Sequence, residues 1–146
     1  MDTDADRVRL VSFYRAYLQR CNAHRFDQLG EFVAADVLVN GRRQGLRGYA
    51  EGLQEVVDAF PDYHWDLRHL LVDGCWLSAH LLDTGTHLGV FLGVPATGRP
   101  VRVQEFAIYR IDADKIVEVW VVGDNLDLLT QLGRPGPARP PAEADV

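Results

Sequence analysis

The stretch YHWDLRHLLVDGCWLSAHLLDTGTH, residues 63–87, decides the fold. It holds two apolar-rich runs, Tyr63–Val72 and Trp76–His87, separated by Asp73-Gly74. An Asp-Gly pair between such runs is the strongest short hairpin signal, because tight two-residue turns need backbone angles that Gly and Asp adopt at little cost. The spacing therefore predicts two antiparallel strands. A second pair follows: Val101–Ile111 and Ile116–Val122, joined by Asp112-Ala113-Asp114-Lys115 without a glycine. Leu88–Pro100, rich in Gly and Pro, reads as a loop between the pairs.

Upstream, the periodicity changes. Val8, Leu10, Val11, Tyr14, Tyr17 and Leu18 recur at three- and four-residue spacing, which predicts an amphipathic helix running to about His24. Gln28–Ala35 reads as a second short helix with Asp27 as its N-cap, and Val37–Asn40 as a strand closed by Gly41. A third helix starts after Gly45 or Gly48 and stops at Pro61, and a last one, Leu126–Leu132, ends at Gly133. Helices followed by a run of antiparallel strands imply an α+β domain, with the N-terminal helices packed on one face of a curved sheet. That geometry makes a cone with a pocket at its open end, the concave setting that small-molecule sites favour.

Composition narrows the function classes. Fifteen Lys and Arg against 21 Asp and Glu leave a charge of −6, and the arginines are scattered among the acids, so no basic stripe suits nucleic acid. At 47% hydrophobic and 25% charged, the 146 residues suffice for one folded domain, expected over 6–133, with the Pro-rich 134–146 as a frayed tail. No apolar run reaches membrane-spanning length, and the acidic start lacks the form of a signal peptide, so a cytoplasmic protein is expected. Cys21 and Cys75, without metal-ligand spacing, read as reduced thiols. There is no Gly-x-Gly-x-x-Gly, Gly-x-x-x-x-Gly-Lys or Gly-x-Ser-x-Gly, and the histidines lack metal spacing. The expectation is acid–base chemistry with no metal and no cofactor.

Asp124 is the first candidate for that chemistry. It follows an apolar strand on the same parity as Trp120 and precedes the last helix, where it serves either as a pocket carboxylate or as the N-cap, roles that do not exclude each other. Glu105 shares parity with Val103, Ala107 and Tyr109, and is read either as a second pocket acid or as the partner of Arg102 or Arg110. His87 ends a strand and either faces substrate or satisfies loop carbonyls. Asn40 is either a turn former or a polar group in the pocket. Tyr14, Phe60, Trp65 and Trp120 are core aromatics on which an aromatic-lined pocket would draw. The uniform Val117, Val119 and Val121 face of the last strand suggests a surface to be covered, hence a homodimer or homotetramer.

The segments Ala59-Phe60-Pro61-Asp62, Gly85-Thr86-His87-Leu88-Gly89-Val90-Phe91-Leu92-Gly93-Val94-Pro95-Ala96-Thr97-Gly98-Arg99, Tyr109-Arg110, Lys115–Trp120, Asp124 and Gln131-Leu132-Gly133 resemble, in order, the motifs of the SnoaL-like polyketide cyclases. The resemblance spans about residues 8–133. It implies the nuclear-transport-factor-like cone, similar to that of ketosteroid isomerase. It also implies a cofactor-independent, intramolecular aldol-type ring closure of an aromatic or polycyclic polyketide intermediate in natural-product biosynthesis, with Asp124 as acid/base. Asn40 and the strand bearing Glu105 and Ala107 would then face the pocket. Ala107 departs from the pattern, since relatives often carry Asp or His there. The same resemblance leaves room for a SnoaL-like hydroxylase, an epoxide-hydrolase-type enzyme or a non-catalytic ligand binder.

Overall fold

The computed structural model describes residues 3–133, so the tail expected over 134–146 lies outside the described residues. Helix α1 (Asp4–Asn22) opens with Thr3, whose Oγ1 accepts the Asp6 N–H at 3.1 Å. Its buried stripe of Leu10, Tyr14, Tyr17, Leu18 and Cys21 follows the helical spacing. The second helix expected over Gln28–Ala35 is a 3₁₀ stretch, Phe26–Glu31, and Asp27 does not cap it. Val33–Ala35 instead begin strand β1 (Val33–Val39), because pairing of Val33 with Ile116 outweighs the local helical pattern.

A tight Asn40-Gly41 turn, both residues at positive φ, leads into the two-residue β2 (Arg42–Arg43). Helix α2 (Gly45–Ala59) ends just before Pro61. Strands β3 (His64–Asp73) and β4 (Trp76–Thr86) form the hairpin read at Asp73-Gly74. Strands β5 (Pro100–Asp112) and β6 (Lys115–Gly123) form the second, and α3 (Asn125–Gln131) closes the described chain.

The six strands make one curved sheet in the order β2-β1-β6-β5-β4-β3, with both edges open. It is the expected cone, with an unclosed wall. The strands are not all antiparallel, for β1 lies parallel to β6.

Register fixes which side chains look inward. Across β4, β5 and β6, Leu81 is opposite Glu105 and Glu105 opposite Gly123, while Asp83 is opposite Val103. Leu77, Ala79, Leu81 and Asp83 therefore share the concave face with Val103, Glu105, Ala107, Tyr109, Val119 and Val121. Phe106, Ile108, Trp120 and Val122 take the alternate positions and are exposed. The valine face is thus the inner one, and the exposed aromatic and aliphatic residues lie on the face behind it.

Candidate active site

Between α1, α2 and the concave face lies a cavity of about 190 Å³. Its apolar walls include Leu18, Leu53, Val56, Leu81 and Val121, and Trp65 closes one side. The Trp65 backbone is held by Asn22, which accepts its N–H at 2.7 Å and donates to its carbonyl at 2.9 Å. All five tyrosines of the chain line this space. Tyr14 and Tyr109 hydroxyls meet at 3.2 Å, those of Tyr17 and Tyr49 at 2.5 Å, and Tyr63 donates to Asp83 Oδ2 at 2.9 Å. Burial raises the pKa of each phenol. They remain neutral hydrogen-bond donors, the form that stabilises a developing oxyanion. Burial likewise pushes the Cys21 thiol up to about 12, which leaves it without the thiolate a nucleophile needs.

Glu105 is the one carboxylate among the lining residues. Arg110, read as its possible partner, instead donates to Glu118 at 3.1 Å on the outer face. Behind Glu105 stands Asp83, only 1% exposed, which sequence reasoning passed over. Desolvation first, and contact with the Glu105 carboxyl second, push the Asp83 carboxyl up to about 10, against a smaller opposing effect of the Tyr63 hydrogen bond. The signal was available: Asp83 shares parity with Leu77, Ala79 and Leu81 on an apolar strand, so its carboxyl points at the core.

The remaining candidates are placed elsewhere. Asp124 caps α3 by accepting the Asp127 N–H at 3.1 Å, its own N–H donates to the Gln104 carbonyl, and it is not among the residues lining the cavity. It does follow Gly123, the register partner of Glu105. Asn40 forms the β1–β2 turn, and its Oδ1 accepts the Val121 N–H at 2.8 Å. Trp120 lies on the outer face, 43% exposed, with its indole N–H on Glu118 and its ring over Gly41. Parity with Asp124 pointed the other way. The Arg110–Glu118–Trp120 cluster shows why the polar side of β6 faces out: its acid finds a cation and an N–H donor there.

His87 and Phe60 are fully buried under the loop rather than in the cavity wall. The Thr97 N–H donates to His87 Nδ1 at 3.2 Å, and the Phe60 ring packs tilted against the imidazole with centroids 5.3 Å apart.

Comparison with known proteins agrees with this architecture. The sequence profile of the SnoaL-like polyketide cyclases matches residues 10–132. The chain belongs to the SnoaL-like polyketide cyclase family. It is 28% identical over 144 residues to the aklanonic acid methyl ester cyclase DnrD of Streptomyces peucetius, covering 94% of this chain and 95% of the relative. Among solved structures, a SnoaL-like polyketide cyclase of Agrobacterium tumefaciens is 35% identical with a TM-score of 0.77, covering 91% of this chain and all of that one. IdmH, a putative polyketide cyclase of Streptomyces antibioticus, is 25% identical at the same TM-score, covering 84% and 97% of the two chains.

In this SnoaL-like chain the recognisable motifs are largely structural. Asp62 accepts both the N–H and the hydroxyl of Thr86, at 2.7 and 2.8 Å, and these bonds hold its carboxyl below the usual range. Gln131 brackets the Arg102 backbone, accepting its N–H and donating to its carbonyl, both at 2.8 Å. The motifs pin the loop and α3 to the sheet, while the cavity, apart from Tyr109, is lined by residues outside them.

Proposed function

We propose that this protein closes a ring on an aromatic or polycyclic polyketide by intramolecular aldol chemistry, using side-chain acids and bases and no cofactor. One observation supports the reading best: a single carboxylate, Glu105, faces an apolar cavity whose other ionisable groups are neutral phenols and one neutral thiol. An aldol closure needs a base for a proton alpha to a carbonyl, donors for the enolate oxygen, and walls that hold both carbons together. Glu105 takes the first part and the tyrosines the second. Holding the reacting carbons in near-attack geometry can be worth ~7–11 kcal/mol, more than the ~3–5 kcal/mol of a 10²–10⁴-fold acid–base contribution.

At about 190 Å³ the cavity is smaller than the roughly 300–1,000 Å³ of pockets that enclose a drug-sized ligand. It suits the reacting end of a polyketide, with the remaining rings across its mouth.

The family resemblance implies acid/base work for Asp124, whereas the lining of the cavity favours Glu105. Aklanonic acid methyl ester, the compound in the relatives' names, is the assay substrate that separates them. Glu105→Gln is expected to lower kcat by about 10²–10⁴. Asp124→Asn tests the other assignment, and wild-type turnover by both variants would remove the acid/base reading altogether. A cyclised product isomeric with its substrate is expected; ¹⁸O entering it from water or dioxygen would move the assignment to a hydrolase or a hydroxylase.

A further inference from the structure

Asp83 has no part in the chemistry so far, yet it is a carboxyl buried on the inner face of the sheet. Its register partner is Val103, so Glu105, two residues on, is its diagonal neighbour on that face, within reach of a long side chain. The carboxyl accepts from the Tyr63 hydroxyl, and the neighbouring Glu105 carboxyl raises its pKa. Tyr63 donates to Oδ2, whereas the buried Oδ1 meets no N–H or O–H donor. Two acceptors facing one another in an apolar setting leave one arrangement that satisfies both: a proton lies between them.

The surroundings decide which residue holds it. Asp83 sits behind the wall and Glu105 opens on the cavity. The other ionisable groups around the pair are Tyr14, Tyr17 and Cys21 from α1, Tyr49 from α2, Tyr63, and Tyr109 from β5, all kept neutral by burial. No Lys, Arg or His is among the lining residues to neutralise a second negative charge.

We propose that Asp83 and Glu105 form a one-proton carboxyl pair in which Asp83 is the neutral acid, and that Asp83 positions the Glu105 carboxylate for proton transfer in the cavity. Through the step Asp83 keeps its proton and donates a hydrogen bond to Glu105. The substrate's alpha proton passes to the free Glu105 oxygen, the C–H electron pair becomes the enolate, and the enolate forms the new C–C bond at the second carbonyl. Glu105 then returns the proton to the resulting alkoxide, which restores the pair. This deepens the cyclase reading and rests on it for the substrate, whereas the shared proton is a property of the unliganded protein.

The two parts are tested separately. Infrared spectra of the unliganded protein at neutral pH are expected to show the C=O stretch of a buried, protonated carboxyl, lost in Asp83→Asn and kept in Glu105→Gln. Absence of the band, or its loss in Glu105→Gln and survival in Asp83→Asn, overturns the pair. In turnover of aklanonic acid methyl ester, Asp83→Asn keeps a neutral donor, so it loses several-fold less kcat than Asp83→Ala and the wild-type loss at alkaline pH disappears. Asp83→Ala removes the donor, and kcat falls about 10–100-fold with KM little changed, given a folded circular dichroism spectrum. Equal losses in Asp83→Asn and Asp83→Ala overturn the positioning role. If the infrared band behaves as stated but no polyketide is cyclised, the pair stands and the cyclase reading falls.

Discussion

A buried carboxyl that stays neutral makes stability depend on pH in an unusual direction. An unfolded aspartate titrates near 3.8, whereas Asp83 in the fold is pushed up to about 10. Between those values the native state binds one more proton than the unfolded chain, so this residue's contribution is fully present at acid pH and declines as pH rises. Each pH unit in that window removes up to about 1.4 kcal/mol. Asp83→Asn abolishes the proton uptake while still accepting from Tyr63. Urea denaturation across the neutral range is therefore expected to show Asp83→Asn gaining on the wild type as pH rises; parallel curves would contradict a neutral Asp83. Parity left Glu105 as either a second pocket acid or an arginine partner, and the cavity lining separates the two. Asp83 was not singled out because a lone Asp among Leu77, Ala79, Leu81 and Leu82 looks like the end of an alternation, until the register sets it beside Glu105.

At the scale of elements, turns and close approaches carry testable strain. The β5–β6 turn holds Ala113 at φ 49° and Asp114 at φ 59°, angles that cost non-glycine residues roughly 1–2 kcal/mol each. Asn adopts such angles more readily, so Ala113→Asn is expected to stabilise the protein by about 0.5–1 kcal/mol in equilibrium denaturation, leaving the Arg9–Asp114 ion pair intact. Gly89 shows the opposite limit. A Cβ there would meet the Asp58 carbonyl oxygen at 2.7 Å, where α2 and the loop after β4 cross backbone to backbone. Gly89→Ala is expected to destabilise by about 1–3 kcal/mol, read as a lower midpoint in the same assay. Both hairpins, α1, α2 and α3 were legible in the sequence because their signals are local: stripes, turn residues and a stop proline. The 3₁₀ stretch at Phe26–Glu31 and the parallel β1–β6 pairing were not, since contact with a strand some 80 residues away decides them.

For the whole molecule, the inversion of β6 has a consequence for assembly. The cone was legible because helices on one side of a curved sheet have one way to bury both, but parity alone does not say which side of a strand is in. With Val119 and Val121 committed to the interior, the register places Phe106 opposite Val122 and Ile108 opposite Trp120 on the outside. These four side chains, 41–66% exposed, form one contiguous apolar block on a chain of net charge −6. Isolated surface hydrophobics are ordinary, but a block of neighbours on the outer face of a sheet suits a contact surface. The expected occupant is a second copy, because a two-fold axis through the block lays like on like. Sedimentation velocity at micromolar concentration is therefore expected to show a homodimer, or a tetramer built from it. The double substitution Phe106→Glu, Val122→Glu should convert it to monomer without unfolding, because neither side chain contributes to the interior. A wild-type monomer, or an assembly indifferent to both charges, would mean that this face is not where copies meet.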